Sequence, residues 1–438
     1  MRRLSILGSA VLGGALVLGP LTVASCSDDK TLFQLPDNRT DASVTTDAGR
    51  DSADSGQDAG GPEYALFLGV DFSAPSPQLA AVSLGSKAVA GRLTIAGNTN
   101  VALAASGGHG FVLQRATGKL FALDPAQPWK IRATIGINDT VDSGPTPVNP
   151  HDVVVTAGAK AYVTRYARNT VTIIDAAAAS VTGSLDLSEF VDPLDPDSLV
   201  DAQSAVYDPA TKRAYFLLQR INQNPSGPFT PEDGLAPCVE VRGQIVAVDV
   251  TNDTLVDLNG AAPGKAINLV GDNPQALVPD FAAGRILVPD TGCFVPQDGG
   301  IGPRRGRGIE AVTLATATSS WLYQHDNLAR LEGLVVADAA HAYVGLTSNF
   351  SDRKWFAWNT GATTLGSELS NFPKAPFYDG KSRIIGLAAK KLDAGASDVA
   401  LSVVAWDVAS SQLSTIAENP FEGLLPDLTY GVTSAHLR

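Results

Sequence analysis

Basic residues, histidine, cysteine and methionine are all scarce in this chain of 438 residues: 32 Lys and Arg stand against 45 Asp and Glu, with five His, three Cys and one Met. The resulting net charge of −13 excludes a nucleic-acid binder, because phosphate contacts need a Lys/Arg-rich footprint. His109, His151, His325, His341 and His436 form no HxH or HxxxH pair, so no metal centre assembled from neighbouring positions is indicated. No GxSxG elbow, no Walker A loop and no clear carboxylate pair occurs, which tilts the reading away from an enzyme. From Glu63 onward a 3.6-residue hydrophobic period is also missing, and a helical body with it.

The chain does carry an address. Met1-Arg2-Arg3 is a short positive segment, and Leu4 to Val23 is an uncharged Leu/Ala/Gly/Val run, together the pattern of a secretory signal peptide over residues 1–25. The run ends in Val23-Ala24-Ser25-Cys26, which resembles the lipobox of bacterial lipoproteins. The resemblance implies cleavage before Cys26 and acylation of its thiol by palmitate-type chains, which hold a protein on a membrane far better than a single myristate does. Ser27 stands where an Asp would signal inner-membrane retention, so the resemblance favours the outer membrane, periplasmic or surface-facing. Residues 27–62 hold eight Asp and only three Lys or Arg, and very few apolar side chains. Such a segment cannot bury enough surface to offset its ordering entropy, and 26–62 reads as a lipidated, disordered acidic tether.

Residues 63–438 read as one all-β domain, because short β-branched and aromatic runs recur between Gly, Pro, Asn and Asp. One repeated unit is an apolar strand, a tight turn and a second apolar strand. Ala205 to Asp208 with Arg213 to Leu217, Val278 to Asp280 with Arg285 to Val288, and Phe377 to Asp379 with Arg383 to Ile385 are examples. Another is a strand closed by an apolar pair and a small polar residue. It ends at Ser83, Asp124, Asp175, Asp249, Thr313, Asn359 and Asp407, seven copies spaced by about 40 to 75 residues. Seven copies fit a seven-bladed β-propeller of four-stranded antiparallel blades. Asn149-Pro150-His151-Asp152, Ala161-Tyr162-Val163-Thr164-Arg165 and Asn169 to Asp175 together resemble the YVTN β-propeller repeat, although Arg165 stands where that family has Asn. The first blade starts at its second strand, near Ala65 to Val70. The orphan strand Thr429 to Leu437 is expected to pair into that blade and close the ring, removing the open edge.

In such blades the D-to-A connections and the B-to-C hairpins open on one face. The long insertions 137–150, 188–203, 219–243 and 289–308 all belong to that face, and long loops on a rigid scaffold are where function concentrates. Cys238 and Cys293 lie in two of these loops. With Cys26 given to lipid, an even pair remains in an oxidising compartment, so a disulfide is expected; a free thiol nucleophile is the alternative, without any Cys/His/Asn pattern around either residue. Arg165, Arg168, Arg220, Arg242, Arg304, Arg305 and Arg307 fall on the same face and, with His151 at the head of an inner strand, are the candidate binding residues. Guanidinium groups grip carboxylates and other oxyanions with two hydrogen bonds; the plainer reading of these arginines is solvated loop charges paired with nearby Asp. Asp192, Asp195, Asp197 and Asp201 offer oxygen ligands for calcium, the one cofactor suggested, at a spacing that misses the EF-hand pattern.

The leading expectation is an exported, lipid-anchored scaffold whose face at blades 3 to 5 binds a protein, peptide or glycan. The alternative is a lactonase-like hydrolase working at the central channel, as some seven-bladed propellers resembling this one are, for which inner-strand polar groups with calcium or an Arg cluster would be needed.

Overall fold

A computed structural model describes residues 62–438 except 71–75, 98, 139–146, 196, 222–236, 261–263, 298–299, 326–328, 348–352, 392–398 and 423–431. The segments expected to be a signal peptide and an acidic tether, and Cys26, lie outside the described residues.

Seven antiparallel sheets form the blades of a closed ring, with no helix beyond short 3₁₀ turns among the described residues. Blade 3 is built from Pro150–Val155, Lys160–Arg165, Thr170–Asp175 and Ser180–Asp186. Blade 4 uses Ala202–Asp208, Arg213–Leu218 and Gln244–Asp249, and its outermost strand is split into Thr254–Val256 and Ile267–Asn268. Blade 5 consists of Val278–Asp280, Arg285–Asp290, Gly308–Thr313 and Thr318–Gln324, with an extra hairpin, Cys293–Gln297 and Gly300–Arg305, standing off between its second and third strands. Blade 6 keeps three strands and replaces the fourth by a single bridge, Phe356 to Glu368, in a stretch whose Asn359, Gly361 and Gly366 suit turns rather than a ladder.

The seven sheets enclose seven hydrophobic clusters, one in each gap between neighbouring blades. Side chains alternate across a strand. On one strand of blade 4, Ala214, Phe216 and Leu218 face blade 3 while Tyr215 and Leu217 face blade 5. Both faces of each inner strand are therefore buried, which is why the strands read as continuous apolar runs instead of polar–apolar alternation.

The recurring aspartates gain a physical role here. Asp124, Asp175 and Asp249 end third strands and accept backbone N–H groups two or three residues on, at 2.7 to 3.1 Å. Asp208, Asp338 and Asp379 do the same in the first-to-second strand turns. An Asx side chain closes a tight turn by satisfying N–H groups that the ladder leaves open.

Ring closure takes the expected form. Val432–Leu437 pairs antiparallel with Tyr64–Gly69, from Gly69 opposite Val432 to Tyr64 opposite Leu437, and so becomes the innermost strand of blade 1. Ser434 Oγ donates to Ala375 O at 2.8 Å and Arg92 Nε to Pro420 O at 2.8 Å, tying blade 1 to blade 7, which is built from Lys374–Tyr378, Arg383–Lys391, Val399–Asp407 and Leu413–Glu418.

Candidate functional site

The face bearing the long loops is tied together at blades 4 and 5. Cys238 and Cys293 form a disulfide across 55 residues of sequence, with Cα atoms 4.9 Å apart. Backbone pairing supports the link: Cys238 N–H donates to Phe294 O at 2.8 Å, and Pro237 bridges Phe294.

Beneath this link three of the seven arginines converge. Arg242 Nη1 lies 2.6 Å from Asp272 Oδ2 and also donates to the carbonyls of Val270 and Gly271. Arg305 grips the same carboxylate with two hydrogen bonds, Nε to Oδ2 at 3.0 Å and Nη2 to Oδ1 at 3.2 Å, and reaches Val239 O across the disulfide. Arg220 Nη1 donates to Arg242 O at 3.2 Å and pairs through Nη2 with Asp192 at 2.8 Å. The Arg242 and Arg305 side chains remain 35% and 40% exposed, whereas Asp272 is 6% exposed. Two guanidinium groups thus share one buried carboxylate, an excess of one positive charge within this trio. The close fit has a sequence cause: Gly306, at φ 68°, lies against the Asp272 carboxyl where a Cβ would collide.

The other arginines are placed differently. Arg165 is 2% exposed and spends its guanidinium on Thr170 O and Ile137 O. Arg307, equally buried, donates to Ala329 O. Arg168 is half-buried and donates to Ala167 O, and Arg304 lies on the extra hairpin opposite Phe294.

His151 belongs to a buried polar chain across the inner strand ends of blades 3 to 5. Its Nδ1 is 2.7 Å from Gln203 Oε1, and its ring stacks on Tyr166 at 4.2 Å between centroids. Tyr166 donates its hydroxyl hydrogen to Gln219, whose amide donates to Asn273 Oδ1 at 2.7 Å and Pro274 O at 2.9 Å. Asp152 runs in parallel, accepting from Ser204 Oγ at 3.2 Å and Ala205 N–H at 2.9 Å. These links join blade to blade, as buried polar groups must be satisfied.

The four aspartates of the blade 3 to 4 loop mainly hold backbone. Asp192 accepts from Leu194 N–H, Asp195 from Asp197 N–H, Asp197 from Leu199 N–H, and Asp201 from Ile221 N–H. The Leu194 N–H, aided by Arg220, holds Asp192 below the usual carboxylate range, whereas burial and the neighbouring Asp197 push Asp195 up to about 7. No group of three or more His, Cys, Asp or Glu among the described residues is arranged to hold a metal ion.

Three acids that the sequence pattern did not single out organise the site. Asp272 holds the arginines; Asp290 and Glu310 are both fully buried, and burial raises both above the ordinary carboxylate range. Glu310 did leave a signal. It precedes the Ala311-Val312-Thr313 copy of the strand-closing unit, and the same position in the other six copies holds Ala80, Phe121, Thr172, Val246, Phe356 and Val404, none of them charged.

No protein-family model and no curated protein sequence matches the chain. Solved structures do. A protein from Lactobacillus plantarum is 14% identical, with a TM-score of 0.51 over 86% of this chain and 100% of its own. The periplasmic gluconolactonase of Pseudomonas aeruginosa is also 14% identical, with a TM-score of 0.48 over 86% and 99%. Kuenenia stuttgartiensis hydrazine synthase is 11% identical, with a TM-score of 0.49 over 80% and 94%. At these identities what is shared is the architecture, and the chain is a seven-bladed β-propeller.

Proposed function

We propose that this chain is an exported binding module, held at the outer membrane by lipid on Cys26, that recognises a carboxylate-bearing protein, peptide or glycan through the blade 4 and 5 loops. The observation that carries the reading is the pair of half-exposed guanidinium groups, Arg242 and Arg305, on one buried carboxylate in loops joined by a disulfide. The Arg305 Nε/Nη2 fork is held by Asp272, so a ligand carboxylate meets the remaining donors of the two guanidinium groups, whose planes the shared Asp272 fixes in advance, and less ordering entropy is lost on binding. On a chain this acidic the local positive charge also gives direction to an approaching anion. The signal-peptide and lipobox pattern supports the anchored placement.

The test is an array of acidic and neutral glycans and peptides probed with purified protein and with the Arg242→Ala/Arg305→Ala variant. Retention of acidic members that drops at least tenfold in the variant is expected. Equal retention by both proteins, or calcium-dependent turnover of a lactone panel that survives both substitutions, would overturn the reading.

A further inference from the structure

Under the arginine pair lies a layer that the binding reading does not use. Glu310 projects from the third strand of blade 5 and accepts Val270 N–H at 2.8 Å, Gly271 N–H at 3.3 Å and the Ser319 hydroxyl. Residues 270–273 form the strap that carries Asp272. Asp290, at the end of the second strand, packs against the same strap so tightly that a Cβ on Gly271 would overlap its carboxyl. Neither Asp290 oxygen receives an N–H or a hydroxyl from the described residues, and Glu310, diagonal to it on the paired strand and on the same face, brings its carboxyl to the same Gly271. Two carboxyl groups meet there only if one keeps its proton.

We infer that Asp290 is the donor in this contact, giving its hydroxyl hydrogen to the Glu310 carboxylate, and that the pair is the positioning base of the Arg242–Asp272–Arg305 site. The direction follows from the partners. Glu310 already accepts from two backbone amides and a hydroxyl, all of which favour its charged form, whereas Asp290 has no such donors. The charges facing Asp290 are Glu310 on the adjacent strand, Asp272 on the strap and Arg242 on the blade 4 loop; the two acids outweigh the arginine, and full burial adds to them. Order then passes upward. The Asp290 proton completes the shell of Glu310, Glu310 fixes the strap, the strap places Asp272, and Asp272 orients both guanidinium groups. Losing the proton puts a second buried negative charge beside the first and pushes the strap away, so the site keeps its geometry only while Asp290 is neutral.

This deepens the arginine-site reading, and the experiment separates the two. Asp290→Asn keeps the shape and a donor without the titration, and Glu310→Gln removes the charged acceptor. Urea midpoints are measured from pH 5 to 9, hydrogen exchange is followed at the Val270 and Gly271 amides, and citrate, a small tricarboxylate, is titrated at pH 6 and 9. A raised native pKa means the folded chain holds the extra proton, so its stabilisation is complete at low pH and declines as pH rises. The wild-type midpoint should therefore fall with pH more steeply than that of Asp290→Asn. Glu310→Gln should speed exchange at both amides at least tenfold, and Asp290→Asn should not. Identical pH slopes in wild type and Asp290→Asn, or an Asp290→Asn protein that does not fold, would overturn the inference. Citrate binding should weaken between pH 6 and 9 in wild type and hold steady in Asp290→Asn; equal weakening in both would count against it. Absence of citrate binding at either pH, with the slopes as expected, would contradict the arginine-site reading and leave the acid pair standing.

Discussion

Replacing Cys238 and Cys293 together by Ser tests how far the loop-bearing face depends on its covalent link. The bond closes a segment of 55 residues that contains the outer half of blade 4 and the inner half of blade 5. For a loop of that length the chain-entropy relation gives about 4 kcal/mol of stabilisation, through restriction of the unfolded chain. The folded state should change little beyond the link, because Cys238 N–H still reaches Phe294 O and the clusters packing blade 4 against blades 3 and 5 remain. Urea unfolding of the oxidised wild type and the double Ser variant measures the difference. The expected result is a loss of about 2 to 4 kcal/mol with an unchanged denaturant slope in the native baseline, together with faster hydrogen exchange around Val239 and Arg305. A loss below about 0.5 kcal/mol with unaltered exchange at those two positions would refute the argument that the bond holds the loops.

Other consequences follow from the same structure. Ending the chain at Asn419 removes Val432–Leu437 and bares the Tyr64–Gly69 edge, so the truncated protein should aggregate in size-exclusion chromatography, while a monomer of native stability would contradict closure. Asp195 is raised to about 7 by burial and Asp197, so its contribution to stability is complete below about pH 4 and is lost as pH rises through 7; Asp195→Asn should flatten the melting-temperature profile from there to about one pH unit above 7. Cys26→Ala should move the protein from the membrane fraction into the soluble or precursor pool in cell fractionation, and unchanged membrane retention and processing would contradict the lipid anchor.

The blades were legible in the sequence because each strand carries its own instruction. Apolar runs are buried on both faces, and Asp at fixed places closes the turns, so the repeat survives even where little else does. Closure was legible from a leftover strand, and the disulfide from cysteine parity. The site was only half legible. Arg165 ends a strand on the loop-bearing face, yet it is buried and gives its guanidinium to the carbonyls of Thr170 and Ile137. Asp272 and Asp290 gain their roles from a strap, a strand end and a hairpin that meet only in three dimensions, and no spacing in the chain announces such a meeting. Blade 6 shows the same limit on a smaller scale, since its fourth strand is reduced to one bridge by a segment whose residues favour turns.

The central claim, that Arg242 and Arg305 form the recognition point, is tested most directly by a crystal structure of the protein soaked with a carboxylate ligand such as citrate. The account predicts density for a carboxylate within hydrogen-bonding distance of both guanidinium groups, with Asp272 still beneath them. A ligand bound instead in the central channel against His151 and Gln203, with the arginine pair unoccupied, would contradict it.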